Sequence, residues 1–304
     1  MFMFIASLAV AASLMGQTQP QPDPQATAVE DVVVSARPLD AQVRSFLDDV
    51  ALPERTLRMA RWYRHVCVGT VNMRGASAQY VVDRVSEIGL EIGLEPGEPG
   101  CTPNIMIFAS DNGAELAKGM VKARPRVFHP GGTGMVRTRA ALSRFQDSDA
   151  SIRWWHVSMP MDSDTNTIAV RLPGEEPPMV GAPSSRLRTE IRNDIGRVFI
   201  ILDINKLEGM SMTQVADYVA MVAYSQIDSD ADFSGYDSVL AMMSDRSKAG
   251  MTSWDMAYLK ALYSAELTQV QKNHQIGEIA RLMEIRQLRP EIAAANDEAE
   301  ANQH

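Results

Sequence analysis

An α+β fold is predicted by three features of the sequence: strand–helix alternation across residues 61–123, a run of buried-strand character at 196–204, and helical periodicity through most of the chain beyond residue 212. In "LDAQVRSFLDDVA", residues 39–51, the apolar positions Leu39, Val43, Phe46, Leu47 and Val50 recur at helical spacing. "RWYRHVCVGTV", 61–71, reads as a buried strand, and "SAQYVVDRVSEIGLEIG", 77–93, as an amphipathic helix capped by Ser77. After a Gly/Pro turn, "NIMIFAS" (104–110) is a second buried strand and "DNGAELAKGMVKA" (111–123) a second helix, which makes a βαβ unit. "FHPGGTGMV", 128–136, is a Gly-rich loop. "IRWWHVSMP" (152–160) and "TNTIAVRLP" (165–173) are expected to form a hairpin through "MDSD", with 173–184 as loop. "GRVFIILDI", 196–204, is the clearest buried strand. Helices are expected at 212–227, 236–243, 253–267 and 275–285, giving one domain over 39–289 and a frayed tail at 290–304.

With 304 residues, 45% of them hydrophobic, the chain can bury a large core without a metal or disulfide scaffold. A net charge of -9 with scattered basic residues argues against nucleic acid as a partner, because phosphate binding needs clustered Lys and Arg. "MFMFIASLAVAASLM" at the start has the length of a secretory leader and is short for a membrane span. The expected signal peptide is 1–16, its cleavage point falling between 13 and 28, with a retained anchor as the alternative. A Pro-rich linker occupies 17–38. Export to the periplasm or cell envelope, with no stable membrane span after cleavage, is the reading. In that oxidising compartment Cys67 and Cys101 are expected to be joined.

Motifs that carry chemistry are few. "DSDADFSG" places Asp228, Asp230 and Asp232 at the first, third and fifth positions of a calcium loop. Phe233 and Val239 occupy the positions that need Gly and a bidentate Glu, so a helix-to-helix connection is the stronger reading. His65, His129, His156, His274 and His304 include no pair on one helix turn, and there is no G-x-S-x-G elbow. "GGTG" at 131–134 lacks the strand and helix of a phosphate-binding loop. Trp154 and Trp155, adjacent on a strand, face opposite sides. Met210, Met212, Met221, Met242 and Met243 read as adaptable core filling. No cofactor is implied.

The strings "RWYRHVCVGTV", "CTPNIMIFASD", "IRWWHVS", "VADYVAMVAYSQID" and "SWDMAYLKALY" together resemble a group of uncharacterised exported alphaproteobacterial proteins. More remotely they resemble a proteobacterial family of unknown function with lipoprotein-like members, related to the zincin metallopeptidases, across residues 55–285. The resemblance implies a zincin-like α+β fold and pairing of Cys67 with Cys101. It also equates "VADYVAMVAYSQ" with the helix that grips metal in a zincin, where Asp217, Tyr218 and Met221 stand in the H-E-x-x-H places. Those side chains supply neither the imidazoles nor the general-base Glu, so the expectation is a non-catalytic binding or interaction module. Asp217, Tyr218, Met221 and Gln226 remain a candidate polar site. A hydrolase with a dispersed site and a calcium module are the alternatives. "EDVVVSAR" near the N-terminus is similar to a TonB box. Val32, Val33 and Val34 favour extended backbone, suited either to strand addition on a protein partner such as TonB or to this protein's own sheet.

Overall fold

The computed structural model describes residues 38–49, 59–131, 138–178, 180, 189–266, 268 and 271–289. The segments expected as leader and linker, up to residue 37 and with Val32, Val33 and Val34, residues 132–137 and the expected tail 290–304 lie outside the described residues.

Helix α1 (Leu39–Asp49) exists to bury one stripe: Val43, Phe46 and Leu47 have no solvent exposure. Phe46 sits edge-on to Tyr236, Trp254 and Tyr258 with centroids 5.1–5.6 Å away. The single strand expected at 61–71 is broken at Cys67 into β1 (His65–Val66) and β2 (Val68–Val71), which take different partners. Helix α2 (Gly75–Glu91) begins two residues before Ser77, with Arg74 as N-cap and no side-chain cap, so Ser77 does not cap it. Its end is enforced by Gly93 at φ 82°, where the Leu94 N–H reaches back to the Gly89 carbonyl at 2.9 Å. β3 (Glu95–Pro96) pairs in parallel with β1.

The main sheet runs β2, β4 (Ile105–Ser110), β6 (Ile191–Asp203), β5 (Ile152–Asp162). β2, β4 and β6 are parallel, and β5 lies antiparallel to β6. Two cores flank this sheet, and period-two alternation assigns residues to them. Ile105, Ile107, Val198, Ile200, Leu202 and Trp154 enter the larger core, while Met106, Phe108, Phe199, Ile201 and Trp155 face the smaller one. The two tryptophans therefore do point to opposite faces, and both are buried. The smaller core is covered by α3 (Gly113–Ala123), α4 (Pro125–Phe128) and α5 (Arg139–Asp147). The larger is closed by α1, α2, α6 (Met212–Tyr224), α7 (Ser253–Ser264) and α8 (Lys272–Leu288).

The expected hairpin is corrected by the structure. After β5 the chain does turn tightly, with Asp162 Oδ1 accepting from the N–H groups of Asp164 and Thr165 and from the Thr165 hydroxyl. The return segment then forms one bridge, Met161 to Ile168, and leaves. β5 pairs along its whole length with β6, which begins at Ile191 and accommodates a bulge at Val157/Ser158. The segment expected as a helix at 236–243 is a 3-10 turn, Val239–Met243. Its start is pinned by the Asp255 carboxylate, which accepts from the Ser238 hydroxyl at 2.5 Å and the Val239 N–H at 2.7 Å. The same carboxylate completes the capping box of α7 with Thr252. Burial pushes the Asp255 carboxyl above the usual carboxylate range, and these donors oppose that shift.

Candidate functional site

Helix α6 is the segment on which the functional question turns. Ser211 and Gln214 form its capping box, and every residue from Val215 to Tyr224 is buried. It wedges between the sheet and α2. The approach to α2 is close because Gly89 has no side chain, and the Tyr224 hydroxyl donates to the Val85 carbonyl at 2.6 Å.

Asp217, 2% exposed, faces α2. Arg84 Nε donates to its Oδ1 at 2.6 Å, Arg84 Nη2 to Oδ2 at 3.3 Å, and the Met251 N–H to Oδ2 at 2.6 Å. One carboxylate thus joins α6, α2 and the segment before α7. The Asp217 hydrogen bond is the largest cause holding Arg84 above its usual pKa. Gly250 packs against this carboxylate so closely that a Cβ there collides with Asp217 Oδ2.

Tyr218, one residue on, points away from Asp217 toward Trp154, edge-on at 5.9 Å between ring centroids. Met221 has no exposure and fills the larger core. Gln226 lies just past the helix and donates to the Ser158 hydroxyl at 3.0 Å. It belongs to a row that stitches β5 to the end of α6. In that row the Trp154 indole donates to the Ile227 carbonyl at 3.0 Å, and His156 Nε2 lies 2.7 Å from the Val222 carbonyl. The four candidate residues on and after α6 are therefore not one site: Tyr218 and Gln226 turn toward β5, Asp217 toward α2, and Met221 into the core.

The remaining candidates are dispersed. His65 is exposed and pairs through Nδ1 with Glu95 at 3.0 Å, whereas His156 is buried. Asp228 Oδ1 accepts from the Asp230 N–H, Asp232 Oδ1 from the Ser234 N–H, and Asp230 forms an ion pair with Arg144 at 2.6 Å. Bonds from Ser234 hold the Asp232 carboxyl below its usual range. Among the described residues, no three His, Cys, Asp or Glu side chains are grouped so as to hold a metal ion. Cys67 and Cys101 form a disulfide with Cα atoms 6.1 Å apart.

Two clefts lie near these elements. The first, about 280 Å³, opens at the start of β5, the same end of the sheet as the carboxyl ends of β4 and β6. Buried Tyr218, Trp154 and Leu240 line it, together with the more exposed Met243 and the Arg144–Asp230 pair. The second, about 550 Å³ and more open, lies beside Tyr63, His65 and Asp194. Its charges are engaged with one another. Arg192 Nε donates to both Asp194 oxygens at 2.9 and 3.0 Å, Nη2 donates to Asn166 Oδ1 at 2.6 Å, and the guanidinium lies 3.6 Å from the Tyr63 ring centroid. Burial raises the Asp194 carboxyl pKa, and desolvation lowers that of nearby Arg61 to about 10.

Sequence reading missed Arg84, which looks like one more exposed charge on an amphipathic helix. It also missed Asp255, although Thr252 with Asp255 three residues later is a visible capping signal. No protein family, curated protein or solved structure matches this chain, so the functional reading rests on its own residues.

Proposed function

We propose that this chain is an exported envelope protein whose zincin-like domain serves as a non-catalytic binding module. One observation carries the reading: the side chains in the metal-gripping places of α6 have structural employment. Asp217 ties two helices and a loop together, while Tyr218 and Met221 pack against the core. A carboxylate that accepts three N–H bonds while neutralising a guanidinium is poorly placed to leave them for a substrate. Export is supported by the leader-like N-terminus and by the Cys67–Cys101 disulfide. Among the described residues no helix is long and apolar enough to cross a membrane.

Elemental analysis of the purified protein, combined with a peptidase and esterase screen, tests the reading. The expected result is no turnover and no transition metal held at one equivalent. Turnover that disappears with a chelator and returns with zinc overturns it.

The N-terminal segment is proposed to dock by strand addition on a partner such as TonB, on the strength of Val32, Val33 and Val34 following the Gln- and Pro-rich run at 17–28. A labelled peptide spanning residues 29–38 should bind the TonB C-terminal domain. Absence of binding at high micromolar concentration removes that part of the proposal.

A further inference from the structure

The cleft at the start of β5 carries a chemical preference of its own. Tyr218 is 3% exposed, yet it lines this cleft, and among the described residues its hydroxyl has no hydrogen-bond partner. Buried phenols ordinarily find one, as when Tyr224 donates to the Val85 carbonyl and Tyr263 to the Tyr224 carbonyl; the hydroxyl of Tyr258, sealed in the larger core, also has none among the described residues, but Tyr258 lines no part of this cleft. Burial alone accounts for the raised pKa of Tyr218, so the group stays protonated and serves as a donor. Its ring is fixed by the edge contact with Trp154. The Trp154 N–H is already given to Ile227, which leaves that indole to offer only apolar surface.

The other walls set size and polarity. Ile152, Phe233, Leu240 and Met243 are apolar, and the volume of about 280 Å³ exceeds the roughly 150 Å³ that suffices for benzene. A substituted single ring fits. Arg144 pairs with Asp230, and Asp149 with Lys206. Arg153 gives its terminal N–H groups to the carbonyls of Phe145, Gln146 and Ala150, while its Nε, buried without a hydrogen-bond partner among the described residues, lies beside Gly113. Arg153 alternates with Trp154 along β5 and so belongs to the other face of the sheet from Tyr218. At the depth of Tyr218 an ionised ligand would lose its water without gaining a counter-charge.

We propose that this cleft binds a small, uncharged aromatic compound with one hydrogen-bond acceptor, the acceptor receiving the Tyr218 O–H and the ring lying against Trp154. The proposal rests on the binding-module reading and names the ligand class for it. The location agrees with the general tendency of sheets with parallel strands to hold ligands beyond their carboxyl ends.

Titration of the full chain with acetophenone and with ethylbenzene, which differ in the carbonyl alone, separates the hydrogen bond from the apolar fit. Acetophenone should bind about tenfold more tightly. Tyr218→Phe should reduce that preference to about twofold or less while retaining ethylbenzene binding. Met243→Trp, at an exposed rim position, should exclude both compounds. Should Tyr218→Phe fail to fold, the wild-type preference and its loss in Met243→Trp decide the matter. No saturable binding of either compound, equal binding of both, or a preference that survives in Tyr218→Phe overturns the proposal. These outcomes are independent of metal content and turnover, so the cleft can fail while the non-catalytic reading stands, and the reverse.

Discussion

Replacing Cys67 and Cys101 together with serine is expected to lower the unfolding free energy by about 4 kcal/mol and the melting temperature by roughly 10 °C. The magnitude comes from the sequence separation of 34, which sets the loop entropy that the cross-link removes from the unfolded chain. Local structure argues that the folded state holds its geometry without the bond. Cys67 sits at the break between β1 and β2, and its carbonyl accepts from both Asn104 and Ile105 N–H groups at 3.0 Å. The Asn104 side chain adds to this, accepting from the Cys67 N–H at 2.7 Å and donating to the His65 carbonyl at 3.1 Å. The Gly97 N–H also reaches the Val66 carbonyl at 2.7 Å. The loop between β3 and β4 is thus docked by hydrogen bonds as well as by sulfur, so the loss should appear in stability with little change in near-ultraviolet circular dichroism. Denaturant unfolding of the double variant gives the number. A loss below about 1 kcal/mol would show that the cross-link does not restrict the unfolded chain as described.

The second large effect is at Asp217. Asparagine has the same shape but one acceptor oxygen, while the site presents three N–H groups spread over two. Whichever way the amide is turned, an N–H meets an N–H, and the Arg84 guanidinium loses its counter-ion. Removing one member of a buried pair costs about 3–5 kcal/mol in general. Arg84 is 29% exposed on its side chain and can regain some water, which places the expected loss near the lower end, about 3 kcal/mol. Replacing a residue that serves catalysis has a different signature: stability is commonly unchanged or improved, because active sites trade stability for function.

How much of the molecule is legible in its sequence depends on the range of each interaction. Val43, Phe46 and Leu47 announce α1 through spacing alone, and alternating burial on β4 is visible in "NIMIFAS". Opposed faces for Trp154 and Trp155 are dictated by strand geometry. Partner choice is another matter. β5 reads as a strand, but a nearby apolar segment looks like its mate, and eleven paired positions with β6 outweigh one bridge to Ile168. The break at Cys67 is invisible in an unbroken apolar run, since it depends on β3 and β4 competing for its two halves. The site is hardest of all. Arg84 and Asp217 lie 133 positions apart, and no local pattern tells a structural aspartate on a helix from a reactive one. The hydroxyl of Tyr218 is likewise defined by its three-dimensional surroundings.

The most direct measurement is the equilibrium unfolding free energy of wild type, Asp217→Asn, Arg84→Gln and the double variant. A structural α6 gives a loss of about 3 kcal/mol for Asp217→Asn and a coupling with Arg84→Gln of about 2 kcal/mol. Asp217→Asn as stable as wild type or more so, with no coupling to Arg84, would contradict the account and return this helix to the search for chemistry.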